Sequence, residues 1–307
     1  MSRSRREARE QAVPAPTRNK HLWTAGEGGM RTGWLLAVSL FGYALVALAT
    51  RYGLVRAFGA LFEVWGIDAT NVHRAPAWAR ALYVWHGSMA TLAFAGLTLL
   101  LASWLRKLWR LEGPALSRPS GGLWKATMVG ILGPLIVAAL CLIPDSVRPE
   151  WPLTAPRFTW TLPVMAVVSL ISTVAEEAFT KRVLYDALRS RWNQVLAVMA
   201  VCAVSCLTGG IGGSVIGAIN VVLLGWALCA LYARHGFWTE VGFRWGWSLA
   251  NVFLLGFGGG DTAVYRLYGV SEGLLTGGDA GPMHGLYVTL LLLPLAIMLS
   301  RKRHKSA

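Results

Sequence analysis

The chain predicts an all-α, polytopic integral membrane bundle of about eight spans, and three observations carry that reading. It is 55% hydrophobic and only 14% charged, where soluble domains carry about 25% charged residues. Several apolar runs reach about 18 residues or more, enough to cross a bilayer as helix. Lys and Arg also fall unevenly between alternate connections, as the positive-inside rule requires.

Taken in order, the expected spans are 33–50, 81–105, 126–144, 161–180, 194–208, 215–233, 237–257 and 283–300. With the N-terminus in the cytoplasm, the inner segments hold 21 Lys and Arg and the outer ones 7. That asymmetry predicts both termini on the cytoplasmic side. It also accounts for the net charge of +14 without a nucleic-acid partner, the anionic surface being that of the lipid bilayer. Tryptophans near segment ends, Trp34, Trp104, Trp109, Trp124, Trp160, Trp192 and Trp238, fit an interfacial aromatic belt.

Residues 1–32 are basic, contain proline and lack periodicity, and read as a disordered cytoplasmic tail. The apolar run that follows lacks a small-residue cleavage site and reads as a signal anchor. Residues 33–125 hold two spans separated by an amphipathic, Trp-containing stretch, 51–80, expected at the interface. The segment LEGPALSRPSGGL, 111–123, marks a boundary. Residues 126–300 hold six spans with tight connections, and 301–307 form a second basic tail. The last long connection, 258–282, carries eight glycines and reads as a re-entrant or folded loop, since Gly-rich backbone at membrane depth must be buried or line a cavity. Cys141, Cys202, Cys206 and Cys229 all lie in apolar spans without CxxC spacing, which predicts no disulfide and no zinc site. No HExxH and no GxSxG occurs, which argues against a zinc or a serine mechanism. No cofactor or metal is expected.

The most informative feature is a pair of adjacent acids, Glu176 and Glu177, inside one of the most apolar stretches. A carboxylate at bilayer depth costs roughly 2.5–3.5 kcal/mol on the lenient scale, so such residues are functional candidates. The stretch 161–191 is long enough for one continuous helix. There Glu176 shares a face with Thr180, and Glu177 shares one with Lys181, the favourable order for a helical ion pair; Arg182 follows. A carboxylate held in low dielectric is a better base than one in water, which suits activation of water. A buried ion pair that fixes helix packing explains the same residues. Arg244 falls mid-span and needs a carboxylate partner: Glu240 four residues earlier, or Glu176 and Glu177 across the bundle. It can stabilise an oxyanion or serve as a structural counter-ion. Ser248 and Asn251 follow on the same helix.

The run EEAFTKR, Glu176 to Arg182, resembles the EExxxR motif of the CPBP family, the CAAX prenyl proteases and bacteriocin-processing proteins. LGWALCALYARHGFW (224–238) is similar to its GxxLGxxYxRTGSLW segment, VGFRWGWSLANVFLLG (241–256) to GxHFxWNFxxG, and LTGGDAGPMHGL (275–286) to the TGGxxGPExGL end of one bacterial branch. The resemblance spans roughly 126–300. It implies an intramembrane glutamic endopeptidase in which Glu176 activates water, Glu177 with Lys181 or Arg182 positions and tunes it, and Arg244, Ser248 and Asn251 support the site. The substrate would be a membrane-proximal or C-terminal segment of another protein, and protein sorting of the myxosortase kind is one such role. The chain departs from the pattern in three places. Lys181 stands in the arginine slot, residues 193–215 contain no histidine, and Arg244 and Ser248 stand where the family has His and Asn. The alternative readings are an inactive relative serving as membrane partner or scaffold, and a transporter using the glutamates as a proton relay.

Overall fold

Long apolar runs without internal polar periodicity bury all their backbone hydrogen bonds as helix, the form a bilayer permits. In a computed structural model the described residues are 24–25, 29–30, 32–68, 74–112, 116, 121–143, 147–149, 161–208, 214–257, 267–269, 273–278 and 281–300. Among them the architecture is all-α, with strand confined to two short antiparallel ladders, Thr24–Ala25 with Gly29–Met30 and Val147–Pro149 with Leu267–Gly269.

The helices are α1 (Thr32–Val64), α2 (Ala77–Leu108), α3 (Gly122–Leu142), α4 (Thr161–Arg191), α5 (Gln194–Thr208), α6 (Val215–His235), α7 (Phe237–Ser248, continued by Leu249–Leu254) and α8 (Leu286–Ser300). They fall on the eight expected spans. Five of them, α1 to α4 and α6, are long and apolar enough to cross a membrane. α5 and α8 are apolar but 15 residues each, about 22 Å at the helical rise, short of a hydrocarbon core of about 30 Å. α7 carries Glu240 and Arg244. Phe41, Leu100, Ile143 and Met298 lie exposed on the outside while Glu177, Lys181 and Glu240 are buried. Apolar residues outward and charges inward is the distribution a lipid solvent selects.

Three expectations change. The stretch 51–80 is not a separate interfacial element as far as Val64: it continues α1, whose axis runs unbroken through Arg51. Trp104, Trp124 and Trp192 are exposed, as a belt requires, but Trp109 is buried and donates its indole N–H to Ser39 Oγ at 2.9 Å. Of the tail read as disordered, 24–25 and 29–30 pair in the first ladder; residues 1–23, 301–307 and Trp160 lie outside the described residues. The described part of the Gly-rich connection folds back on the bundle. Asn220 of α6 donates to the Met283 and Gly285 carbonyls at 2.8 and 3.0 Å.

α3 and α7 approach to backbone contact. A Cβ at Gly246 would run into the Thr127 carbonyl, and one at Gly242 into that of Leu123. Small residues four apart let two membrane helices approach to backbone contact. Arg244 lies between these two glycines, so the same packing sets its position.

Candidate functional site

α4 is continuous, as the sequence predicts, but it changes pitch directly after the acid pair. Thr161–Glu177 is α-helical, Ala178–Tyr185 is π-helical, and Asp186–Arg191 is α-helical again. Among the described residues two more π-helical stretches occur, Leu48–Leu54 in α1 and Leu249–Leu254 at the end of α7. Such turns are rare and concentrate at functional sites. Here each carries or adjoins a site residue: Arg51, the acid pair with Lys181, and Ser248 with Asn251.

Glu177 is fully buried. Lys181 Nζ donates to its Oε2 at 2.9 Å, and the Thr180 hydroxyl lies 2.9 Å from the same oxygen. Its Oε1 accepts from Arg244 Nη1. Lys181 is itself 1% exposed and reaches a second buried acid, Glu240 Oε1, at 3.9 Å. Glu240 was a possible partner for Arg244 from sequence spacing; its carboxyl group instead neighbours Glu177 and Lys181.

Glu176 has a different setting. Its side chain keeps 17% exposure, and each oxygen meets a guanidinium: Arg244 Nη2 at 2.7 Å on Oε2, and Arg51 Nη2 at 2.6 Å on Oε1. Arg244 thus bridges both adjacent glutamates from across the bundle. Arg51, Lys181 and Arg244 thus face Glu176, Glu177 and Glu240, and charged groups at depth persist only where such partners meet them.

Arg182 is not brought into this cluster. Its guanidinium lies 5.8 Å from the Phe237 ring centroid, and its carbonyl accepts from Arg106. It sits toward a second polar group, in which Asp186 accepts from the Tyr232 hydroxyl at 2.8 Å and lies 3.8 Å from Arg106.

Ser248 and Asn251 line a cavity of about 410 Å³ together with Ser205, Leu228, Arg244 and Met283. Asn251 donates to the Trp247 carbonyl at 3.1 Å. Arg244 therefore both contacts the glutamates and lines this cavity. No three His, Cys, Asp or Glu side chains among the described residues are grouped so as to hold a metal ion; the three glutamates face cations.

Sequence reading missed Arg51 as a site residue, because it placed residue 51 just beyond the first span. The signal available was the basic residue itself in an otherwise apolar continuation, LATRYGLV. The arginine also packs 4.4 Å over the Phe94 ring centroid. About two helical turns before it, Tyr43 stacks on Phe179 of the π-helical stretch at 4.3 Å.

Residues 158–250, which hold α4 to α6 and α7 as far as Ala250, match the family described as Rce1-like, type II CAAX prenyl endopeptidase Rce1-like. That is a membrane protease family. No curated protein and no solved structure matches the chain. The matched stretch carries Glu176, Glu177, Lys181, Arg182, Arg244 and Ser248; Asn251 follows it by one residue, and Arg51 lies in a helix outside it.

Proposed function

We propose that the protein is an intramembrane endopeptidase of glutamic type, acting on a membrane-proximal or C-terminal segment of another protein. The observation that carries this reading is the bridging of Glu176 and Glu177 by Arg244 beside the 410 Å³ cavity, with Glu176 alone of the three glutamates retaining exposure. The termini are assigned to the cytoplasmic side on the Lys and Arg asymmetry, the membrane is taken to be a bacterial inner membrane on the resemblance to a bacterial branch, and a role in protein sorting fits a substrate of this kind.

In this reading Glu176 takes a proton from water as the water oxygen bonds to the scissile carbonyl carbon. The carbonyl electron pair moves to oxygen, where an Arg244 N–H receives it. Collapse breaks the C–N bond, and the leaving amine takes the proton back from Glu176. Positioned acid–base catalysis supplies about 10²–10⁴-fold, and one oxyanion donor about 10²–10³-fold. Arg244 stands where the family pattern has a histidine, and a guanidinium fills the same electrostatic role without needing to be protonated first. Glu177, anchored by Lys181 and Thr180, holds Arg244 in place.

The alternative is an inactive membrane partner or scaffold, favoured by the fact that both oxygens of Glu176 face guanidinium groups. The test is reconstitution of the full-length protein in liposomes with a host membrane-protein fraction, followed by mass-spectrometric sequencing of new chain termini. New termini formed by the wild type and lost with Glu176→Gln, at equal membrane accumulation, are the expected result. An unchanged set of termini with Glu176→Gln would leave the scaffold.

A further inference from the structure

Resting on the hydrolytic reading above, we propose that Arg51 is a specificity-determining residue, which leaves Glu176 to bind a carboxylate carried by the incoming peptide. The three cations of the site are not equivalent. Lys181 is buried and faces two glutamates, and Arg244 bridges two. Arg51 meets one carboxylate oxygen through one nitrogen, and its side chain is 45% exposed. An exposed single-point ion pair is held weakly, whereas a buried, bridging one is not given up without stranding a charge.

Release of Arg51 also leaves the rest of the cluster intact. Glu176 keeps Arg244 on Oε2, while Oε1, the oxygen facing Arg51, becomes available to accept a proton from water. The guanidinium has support during the exchange, since it lies over the face of the Phe94 ring, which attracts a cation there. The π-helical turn Leu48–Leu54 that carries it is a local departure of the kind that accompanies function rather than packing. What a guanidinium takes in exchange for a carboxylate is another carboxylate, in matched planar geometry. The peptide's own acid, on a side chain or at a free C-terminus, thus unmasks the base that cuts it. Peptides without one meet a base still capped by Arg51.

The experiment uses full-length wild type, Arg51→Gln, Arg51→Lys and Glu176→Gln in liposomes with the same membrane-protein fraction, and sequences every Glu176-dependent terminus. The wild type is expected to favour cuts beside a carboxylate. Arg51→Gln is expected to lose that preference by about tenfold relative to uncharged sites, the worth of one charge-assisted hydrogen bond, and Arg51→Lys to retain most of it. Synthetic peptides of the strongest site, with Glu→Gln or with an amidated C-terminus, separate a side-chain from a terminal carboxylate. An equal fall at all sites in Arg51→Gln would make Arg51 a structural counter-ion and overturn the proposal, as would an unchanged site profile. If the wild type forms no Glu176-dependent termini, the hydrolytic reading itself fails, a result distinguishable from either outcome with Arg51.

Discussion

The half of the site around Glu177 is sealed, and the half around Glu176 is open. Glu177, Lys181 and Glu240 are at most 1% exposed, and their partners come from α4 and α7. Glu176 and Arg51 are 17% and 45% exposed, and the arginine comes from α1, far off in sequence. Two neighbouring carboxylates on one helix therefore differ in access to water. A sealed ion pair costs most when one member is removed, because the other charge is stranded. An open one contributes little to stability and leaves its carboxylate reachable by water. On the proposed reading, chemistry belongs to the second and architecture to the first.

The largest expected effect breaks the sealed half. Glu177→Leu leaves Lys181 and Arg244 each short of a carboxylate, and is expected to cost about 3–5 kcal/mol, read as a lower midpoint in reversible detergent unfolding and reduced membrane accumulation. Glu176→Gln, by contrast, is expected to shift the same midpoint by about 1 kcal/mol or less while abolishing formation of new termini. Equal destabilisation by the two would erase the distinction between the halves.

Next comes the bridge between them. Arg244→Lys keeps the charge but replaces a planar fork by a point donor, so it cannot hold both glutamates as Arg244 does. Formation of Glu176-dependent termini is expected to fall about 10²–10³-fold, as when an oxyanion donor is lost, with accumulation retained. A rate within a few-fold of wild type would move the oxyanion role elsewhere.

How much of this was legible in the residues follows the range of the interactions. The helices were legible because apolar runs in a bilayer have one solution, and the Glu177–Lys181 pair was legible because i to i+4 spacing is local. Arg244 announced a need for a carboxylate by its depth, though not which one it would meet. Arg51 was hidden because α1 runs on past the end of its most apolar part, so a hydropathy boundary fell just before it. Arg182 entered the site through the resemblance of EEAFTKR to EExxxR, yet its guanidinium lies near Phe237 instead; the π-helical turn beside it depends on tertiary packing and has no simple sequence mark. Glu240 looked like a partner by spacing along α7, yet it faces α4.

A smaller effect is expected where the bridge is positioned rather than charged. Gly246→Val puts side-chain atoms against the Thr127 carbonyl, forcing α3 and α7 apart at a cost of about 1–3 kcal/mol, typical of overpacking. Because Arg244 lies two residues away on α7, the same change should also slow formation of new termini. Gly96 of α2, which has open space around it, is the control: Gly96→Ala should leave both readouts at wild-type level. If Gly246→Val lowered stability while leaving the cut rate untouched, α3–α7 packing would not be what sets Arg244.

The smallest effect tests the cavity side. Ser248 lines the 410 Å³ cavity with Arg244 but contacts neither glutamate in the bonding pattern around them. Ser248→Ala removes a hydroxyl from a partly exposed position, so the stability change should stay within about 0.5 kcal/mol. The informative readout is the product set. If the substrate segment enters through this cavity, Ser248→Ala should alter which termini form while leaving those that persist at near wild-type rates, because it changes the wall and not the base. Ser248→Trp, which fills part of the cavity, should then suppress termini broadly without disturbing the Glu177 half. Wild-type termini and rates from both variants would place substrate on the Arg51 side of Glu176 instead, and would make α1 rather than α7 the wall that the peptide meets.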